Sequence, residues 1–181
     1  MTFKPDDLMY RPGLMNGERI LITGGGGMLG QKLIAGLAKV GSLNGKKIES
    51  ITVVDAYKQS QALDGFDFKI TSKIVDITDR KECDAMIAEK PDVIFHLAAI
   101  VSGEAESDFE KGYRVNVDGM RNLFDSIRLH SDQYCPRVVF TSSVAVYGGP
   151  YLDVADDNFI LQPTTSYGVQ KAIGELLLND Y

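Results

Sequence analysis

Short apolar runs alternate with segments of helical periodicity along most of the chain, and this alternation restricts the possible folds more than any other feature. The apolar runs typical of strands lie at residues 19–23, 51–55, 68–76, 93–97 and 137–141. Apolar residues recur at helical spacing over residues 28–40, 79–89, 107–129 and 166–180, as in helices that bury one face. Strands that alternate with helices predict an α/β fold built on a doubly wound parallel sheet.

Charge and composition narrow the classes of partner. The 181 residues carry a net charge of −6, with a pI near 4.9, which argues against nucleic acid or an anionic membrane as a partner. No apolar run has the length of a membrane span. The first residues lack the pattern of a signal peptide, and the two cysteines lie far apart. We therefore expect a cytoplasmic protein.

The chain divides into an arm and one domain. Residues 1–17 contain two prolines and two glycines without periodicity, so we expect an irregular N-terminal arm. Residues 18–181 are long enough for a single domain with a substantial core.

A glycine-rich loop joins the first expected strand to the first expected helix. Its glycines Gly24, Gly27 and Gly30 form the pattern G-x-x-G-x-x-G. Such glycines allow a tight turn, a close approach of the backbone to a pyrophosphate, and close packing of helix on strand. The helix that begins at Met28 and Leu29 would present its N–H groups to the phosphates. The position favours a dinucleotide site of the Rossmann type over a merely flexible turn.

Acidic residues end the next two strands. Asp55 follows Gly30 at a little more than the roughly 20 residues expected of the carboxylate that binds the adenosine ribose. A carboxylate there repels a 2′-phosphate, so we expect NAD as the cofactor rather than NADP. Asp76 and Ile77 follow the third strand, where they suit contact with the adenine amine and ring. Asp55 as a solvated strand end and Asp76 as a turn residue are the alternatives.

A tyrosine and a lysine share one face of the last expected helix. Tyr167 and Lys171 form Y-x-x-x-K, and residues at i and i+4 are neighbours on a helix. A free tyrosine is a poor base at neutral pH, but a nearby ammonium stabilises its phenolate. Tyr167 could then take a proton from a substrate hydroxyl, and a hydroxyl of Ser142 or Ser143 could bind the reacting oxygen. A surface tyrosine–lysine pair and a serine-rich turn are the alternatives.

Taken in order, these motifs resemble the extended short-chain dehydrogenase/reductases, the NAD-dependent epimerase/dehydratase family. The resemblance rests on Thr23-Gly24-x-x-Gly27-x-x-Gly30, Asp55, Asp76-Ile77, His96-Leu97-Ala98-Ala99, Asn116-Val117-x-Gly119, Ser142-Ser143, Val146-Tyr147-Gly148 and Tyr167-x-x-x-Lys171. It implies that Ser143, Tyr167 and Lys171 form a catalytic triad. It also implies that the NAD site, with no metal, includes Leu97, Ala98, Ala99, Asn116, Tyr167 and Lys171. His96 by itself is typical of a core histidine at a strand end.

A closer likeness within the family concerns the substrate. The segments 100–106, 146–150 and 163–172 resemble members that oxidise a D-erythronate-like 2-hydroxy acid with NAD. This implies oxidation of a small sugar acid, with Ser102 and Ser143 near the substrate. Ser102 in an ordinary strand-to-helix turn is the alternative for that residue. The alternatives for the whole chain are a nucleotide-sugar 4-epimerase or dehydratase and a non-catalytic dinucleotide-binding module.

The resemblance also has consequences for extent and assembly. Family members continue well beyond the Y-x-x-x-K helix into a small substrate-binding lobe, so we expect the C-terminal substrate lobe to be missing from these residues. Helices 107–129 and 166–180 resemble the pair that forms the dimer interface in this family, which implies a homodimer, although core packing explains their apolar content equally well.

Overall fold

A computed structural model describes residues 17–57, 67–130, 132, 134–150, 155 and 159–181. Its strands are β1 (Gly17–Thr23), β2 (Ser42–Leu43), β3 (Lys46–Asp55), β4 (Lys69–Ile74), β5 (Val93–His96) and β6 (Arg137–Phe140). Its α-helices are α1 (Met28–Val40), α2 (Arg80–Ile87), α3 (Ser102–Ser107), α4 (Phe109–Tyr113), α5 (Met120–Arg128) and α6 (Ser166–Asp180). A π-helical turn spans Arg114–Gly119, and a 3₁₀ turn spans Val144–Tyr147.

Five strands form a parallel sheet in the order β4-β3-β1-β5-β6, and β2 adds an antiparallel hairpin at the start of β3. The chain moves from β1 outward to β3 and β4, and then crosses to β5 on the other side of β1. The carboxyl ends of β1 and β5 therefore flank the point at which the strand order reverses, where ligands bind in sheets of this kind. The predicted doubly wound parallel sheet is confirmed.

The sheet separates two hydrophobic cores because successive side chains of each strand point to opposite faces. In β1, Ile20 and Ile22 join the core covered by α1, whereas Leu21 joins the core covered by α2 and α5. Leu177 and Leu178 place α6 on the same face as α2 and α5. Burial on both faces explains why β1 reads as a continuous apolar run rather than an alternating one.

Several element boundaries differ from those expected. Residues 1–16 of the predicted N-terminal arm lie outside the described residues, and Gly17, the last residue of that arm, instead begins β1. The Asn44–Gly45 turn closes the β2–β3 hairpin with φ values of 52° and 79°, so β3 begins at Lys46 rather than Ile51. Positive φ at both residues is the geometry that asparagine followed by glycine favours.

The helix predicted over residues 107–129 is present, but it begins at Phe109 and is not regular throughout. Asp108 leaves helical geometry, at φ −132° and ψ 85°, and its side chain accepts a hydrogen bond from the Lys111 N–H at the start of α4. The chain then passes through the π-helical turn before α5 begins at Met120. The cap at Asp108 therefore sets the start of the helix, and the π turn changes its hydrogen-bonding pattern without ending it; periodicity alone predicts neither feature.

The two cysteines are unpaired and differ in environment. Cys83 is buried in α2 and Cys135 is exposed just before β6. The Cys83 thiol donates a hydrogen bond to the Ile77 carbonyl, and burial raises the pKa of that thiol to about 12. Among the described residues, no helix is both long and apolar enough to cross a membrane.

Candidate cofactor and catalytic site

The glycine loop packs against the segment that follows β5. Gly24 has φ 71°, and a Cβ on it would lie 2.6 Å from the backbone of Ala98. A Cβ on Gly30 would lie 2.5 Å from the Cα of Gly25. Both positions therefore exclude any side chain, the first by strain as well as by space. The loop and the start of α1 are held against the carboxyl ends of β1 and β5.

The N-terminus of α1 is open. A Cβ on Gly27 would meet only the Gly24 carbonyl oxygen, at 3.4 Å, and no side chain caps the helix. Met28 and Leu29 follow with 69% and 56% of their surface exposed. Unpaired N–H groups at the start of a helix attract anions. The loop therefore has the space and the polarity that a pyrophosphate requires.

Asp55 at the end of β3 contacts this loop directly. Its Oδ2 accepts a hydrogen bond of 2.9 Å from the Gly26 N–H, and its Oδ1 accepts one of 3.2 Å from the Tyr57 N–H. These bonds fix the orientation of the carboxylate. Each oxygen keeps a further lone pair, which a ribose hydroxyl could use.

Asp76 and Ile77 lie beyond β4 and differ in exposure. Asp76 is exposed, and its Oδ1 accepts a hydrogen bond from the Thr78 N–H in a turn. Ile77 is buried among core residues, and Gly119 leaves the space for its side chain. Most of the Ile77 side chain is packed in the core, whereas Asp76 faces solvent. The contacts of these two residues with adenine stay a prediction.

Asn116, in the π turn, binds the segment after β5. Its Oδ1 accepts a hydrogen bond of 2.7 Å from the Ile100 N–H, and its Nδ2 donates to the Ile100 carbonyl at 3.0 Å and to Gln170 Oε1 at 2.7 Å. The side chain is 5% exposed, so its polar atoms are committed to protein. In this structure Asn116 supports the segment at residues 97–100, and its predicted place among the cofactor-binding residues stays a prediction.

Lys171 lies beneath Tyr167 with its amino group buried. Its Nζ donates to the Thr141 carbonyl at 2.9 Å, lies 4.7 Å from the centre of the Phe140 ring and 5.7 Å from the centre of the Tyr167 ring. Burial lowers the pKa of Lys171 to about 8, so the ammonium form still predominates at neutral pH. The structure thus brings Tyr167 and Lys171 together at the carboxyl end of β6.

His96 ends β5 beside this lysine and is fully buried. Its Nδ1 lies 2.8 Å from Thr23 Oγ1, and its ring stacks on Phe140. Burial, together with the charge of Lys171, lowers the pKa of His96 to about 3. The histidine is therefore neutral across the physiological range, which confirms the interpretation of His96 as a core residue.

The serines lie at different depths. Ser143 is half-buried, and its Oγ accepts a 3.2 Å hydrogen bond from the Ala145 N–H, which leaves the hydroxyl proton for a ligand. Gly168 packs α6 against the Ala145 carbonyl, and this contact brings the start of α6 close to the turn after Ser143. Ser142 instead donates to the Glu175 carboxylate. Ser102 is exposed at the first position of α3.

Two polar contacts of the site were not predicted. Gln170, one residue before Lys171, is buried and bound to Asn116. Glu106 in α3 accepts a 2.8 Å hydrogen bond from the Tyr167 N–H. Each contact joins residues far apart in sequence, so periodicity carries no signal for either. Among the residues described, no group of three or more histidine, cysteine or acidic side chains is arranged to hold a metal ion.

Comparison with known proteins gives a consistent picture. A family model described as the NAD dependent epimerase/dehydratase family matches residues 20–181. D-erythronate dehydrogenase from Cupriavidus necator is 46% identical over 90% of this chain and 50% of its own length. D-erythronate dehydrogenase from Haemophilus influenzae is 35% identical over the same shares of the two chains.

A solved structure shows the same fold. The nucleoside-diphosphate-sugar epimerase from Agrobacterium tumefaciens superimposes with a TM-score of 0.87 at 50% identity. The superposition covers 94% of this chain and 51% of that one. The chain therefore spans about half the length of the relatives that it matches.

Proposed function

Because this chain belongs to the NAD-dependent epimerase/dehydratase family, we propose that it binds NAD and supplies the catalytic residues for oxidation of a small sugar acid. Its 46% identity to a D-erythronate dehydrogenase is the observation that carries this proposal. The substrate class is a D-erythronate-like 2-hydroxy acid, oxidised at the carbon that bears the hydroxyl.

In this proposal the glycine loop and the start of α1 hold the pyrophosphate. Gly24, Gly27 and Gly30 keep the loop free of side chains, while Met28 and Leu29 begin the helix whose N–H groups face the phosphates. Asp55, oriented by the Gly26 N–H, accepts hydrogen bonds from the adenosine ribose and disfavours a 2′-phosphate. Asp76 contacts the adenine amine. The backbone of Leu97, Ala98 and Ala99 lines the other half of the cofactor.

The proposed reaction uses residues that meet at the carboxyl end of β6. The Lys171 ammonium, held by the Thr141 carbonyl, stabilises a phenolate on Tyr167 by its charge. Tyr167 takes the proton of the substrate hydroxyl, and Ser143 donates a hydrogen bond to the same oxygen as it becomes a carbonyl. NAD, when bound, accepts the hydride from the adjoining carbon. Ser102 is proposed as a further substrate contact.

The first experiment tests binding and turnover separately. We expect the 181-residue chain to bind NAD, measured by calorimetry, more tightly than NADP. We expect the gene product that contains this chain to form NADH from NAD and D-erythronate. Tyr167→Phe should lower turnover at least about 100-fold, the usual contribution of a general base, which is far more than it should lower NAD affinity. Unchanged turnover in this variant would contradict the catalytic role and favour a non-catalytic dinucleotide-binding module.

A nucleotide-sugar epimerase is the second candidate, favoured by the 50% identity to the solved epimerase. An epimerase returns the hydride to the sugar, so it accumulates no NADH. UDP- or dTDP-sugars should then be converted, while D-erythronate is left unchanged. Absence of NADH with D-erythronate, together with conversion of such a sugar, would replace the dehydrogenase proposal with the epimerase.

A further inference from the structure

Gln170 is a buried amide whose two polar atoms both have partners. It is 1% exposed. Its Oε1 accepts a 2.7 Å hydrogen bond from Asn116 Nδ2, and its Nε2 donates a 3.0 Å hydrogen bond to Ser166 Oγ. A long polar side chain is rarely buried so completely. Because both polar atoms are hydrogen-bonded, the side chain is held in one orientation and its burial leaves no polar atom unpaired.

Helix α4 packs closely against the Gln170 amide. A Cβ on Gly112 would lie 2.7 Å from Gln170 Nε2 and 3.2 Å from Oε1, so α4 can pass this close only because residue 112 has no side chain. The hydrogen bonds then continue from Gln170 through Asn116 to the backbone of Ile100. One connected network therefore joins α6, the π turn and the segment after β5.

This network lies on one side of the proposed cofactor site. The glycine loop lies over β1, and Asp55 marks the adenosine side at the end of β3. Tyr167, Lys171 and the segment after β5 lie on the opposite side of β1. A dinucleotide with its pyrophosphate on the glycine loop places one nucleoside on each side. Gln170 is thus next to the nicotinamide half and remote from the adenosine half.

We infer that Gln170 is a positioning residue for the nicotinamide half of the cofactor, which it influences through Asn116 and Ile100 while its own helix carries Tyr167 and Lys171. The inference rests on the proposed function, because it requires NAD in this site. It explains why the π turn occurs at Asn116: the turn delivers an amide that can bind Ile100 and Gln170 at once, and π turns of this kind are frequent at functional sites.

The test compares NAD with ADP, which carries the adenosine and the two phosphates but lacks the nicotinamide half. Gln170→Met keeps the length of the side chain and removes both hydrogen bonds. We expect this variant to bind NAD at least about fivefold more weakly, the value of one buried hydrogen bond, and to bind ADP within about twofold of the unaltered chain. Calorimetry on the 181-residue chain measures both affinities.

Gln31→Met is the matched control. Gln31 Nε2 donates to the Gly26 carbonyl in the glycine loop, so the control should weaken NAD and ADP to the same degree. Equal losses of NAD and ADP affinity in Gln170→Met, or no loss of either, would overturn the inference. If the unaltered chain bound neither ligand, the proposed function itself would be contradicted.

A second variant keeps the test decisive if Gln170→Met does not fold, as judged by its thermal transition. Ser166→Ala removes only the partner of Gln170 Nε2, at a half-buried position. We expect the same selective loss of NAD affinity, of at least about twofold, because the amide loses one of its two anchors. Unchanged NAD affinity in this variant would count against the inference.

Discussion

His96 and Lys171 lie close together in the interior, where two positive charges would repel each other. Lys171 is ionised at neutral pH, and a proton on His96 would place a second positive charge in the same buried region. Burial and this repulsion lower the pKa of His96 to about 3, whereas an unfolded histidine titrates near 6.5. The native protein therefore requires a neutral imidazole, hydrogen-bonded to Thr23.

This difference in pKa predicts a loss of stability in acid. Between pH 6.5 and about 3, the unfolded chain binds a proton at residue 96 and the native chain does not. The free energy of unfolding should therefore fall as the pH falls through this window, by about 1.4 kcal/mol per pH unit from His96 alone. His96→Gln should remove this component, so its denaturant-derived stability should fall less steeply between pH 6.5 and 4.5.

His130 provides the control because it is the other of the two histidines. It lies at the end of α5, half-buried, with its Nδ1 close to the Ser126 carbonyl. Because only His96 is fully buried, His96→Gln should change the acid slope more than His130→Gln does. The explanation would be wrong if both variants kept the same acid slope, or if His130→Gln removed it.

At the scale of elements, one contact joins the catalytic helix to the turn that follows β6. A Cβ on Gly168 would lie 2.4 Å from the Ala145 carbonyl oxygen, so α6 packs directly on the backbone of the 3₁₀ turn. Thr165 caps the same helix by accepting a hydrogen bond from the Gly168 N–H. The relative positions of Ser143 and Tyr167 depend on this approach of helix to turn.

Replacement of two helical glycines by alanine should therefore have opposite effects. Gly168→Ala forces the helix away from the turn and should cost at least about 1–3 kcal/mol of unfolding free energy, as overpacking does. Gly36→Ala in α1 meets no atom within 4 Å and should gain up to about 1 kcal/mol from helix propensity. Chemical denaturation of the two variants measures both changes; a neutral or stabilising Gly168→Ala would contradict the packing argument.

Elements that depend on local pattern could be predicted from the sequence, and those that depend on distant contacts could not. The bounds of α1 and α6 follow from periodicity, a glycine stop and a threonine cap, which are all local. The π turn contains Asn116, which binds Ile100 and Gln170, and no spacing within the helix encodes these contacts. The burial of most of the Ile77 side chain could not be predicted for the same reason, since it depends on the space left by Gly119.

At the scale of the whole molecule, α4 and α6 each expose one large apolar side chain. Phe109 and Leu176 are 53% and 65% exposed, and Phe109 packs on Tyr113. We propose that these helices and the adjoining part of residues 107–129 form a homodimer interface. Helices α5 and α6 pack on the same face of the sheet and α1 packs on the other, so a single interface can include both α5 and α6.

Sedimentation velocity tests the dimer. The unaltered protein should sediment as a dimer, and Leu176→Glu should shift it to the monomer because it places a charge in an apolar contact. Val40→Glu is the control, since Val40 is comparably exposed, at 67%, but ends α1 on the opposite face. A monomeric unaltered protein, or a dimer that persists in Leu176→Glu, would contradict the proposed interface.

The order of the strands explains why so much of the candidate site could be predicted from sequence. In a parallel sheet the carboxyl ends of all strands lie on the same side, so motifs that each follow a strand are brought close together. Once the strands are identified, their order therefore predicts that the glycine loop, Asp55 and the serines after β6 lie on the same side of the sheet. Individual side-chain contacts, such as the hydrogen bond from Lys171 Nζ to the Thr141 carbonyl, depend on packing and could not be predicted.

The difference in burial between Cys83 and Cys135 allows the protein to be labelled at a single site. Burial suppresses the thiolate of Cys83, and the thiolate is the form that reacts with alkylating reagents. Cys135 is exposed and precedes β6. It therefore lies at the amino ends of the strands, whereas the glycine loop lies at their carboxyl ends. A maleimide dye would therefore attach at one position, remote from the proposed cofactor, and the chain could be immobilised or tracked by fluorescence without blocking that site.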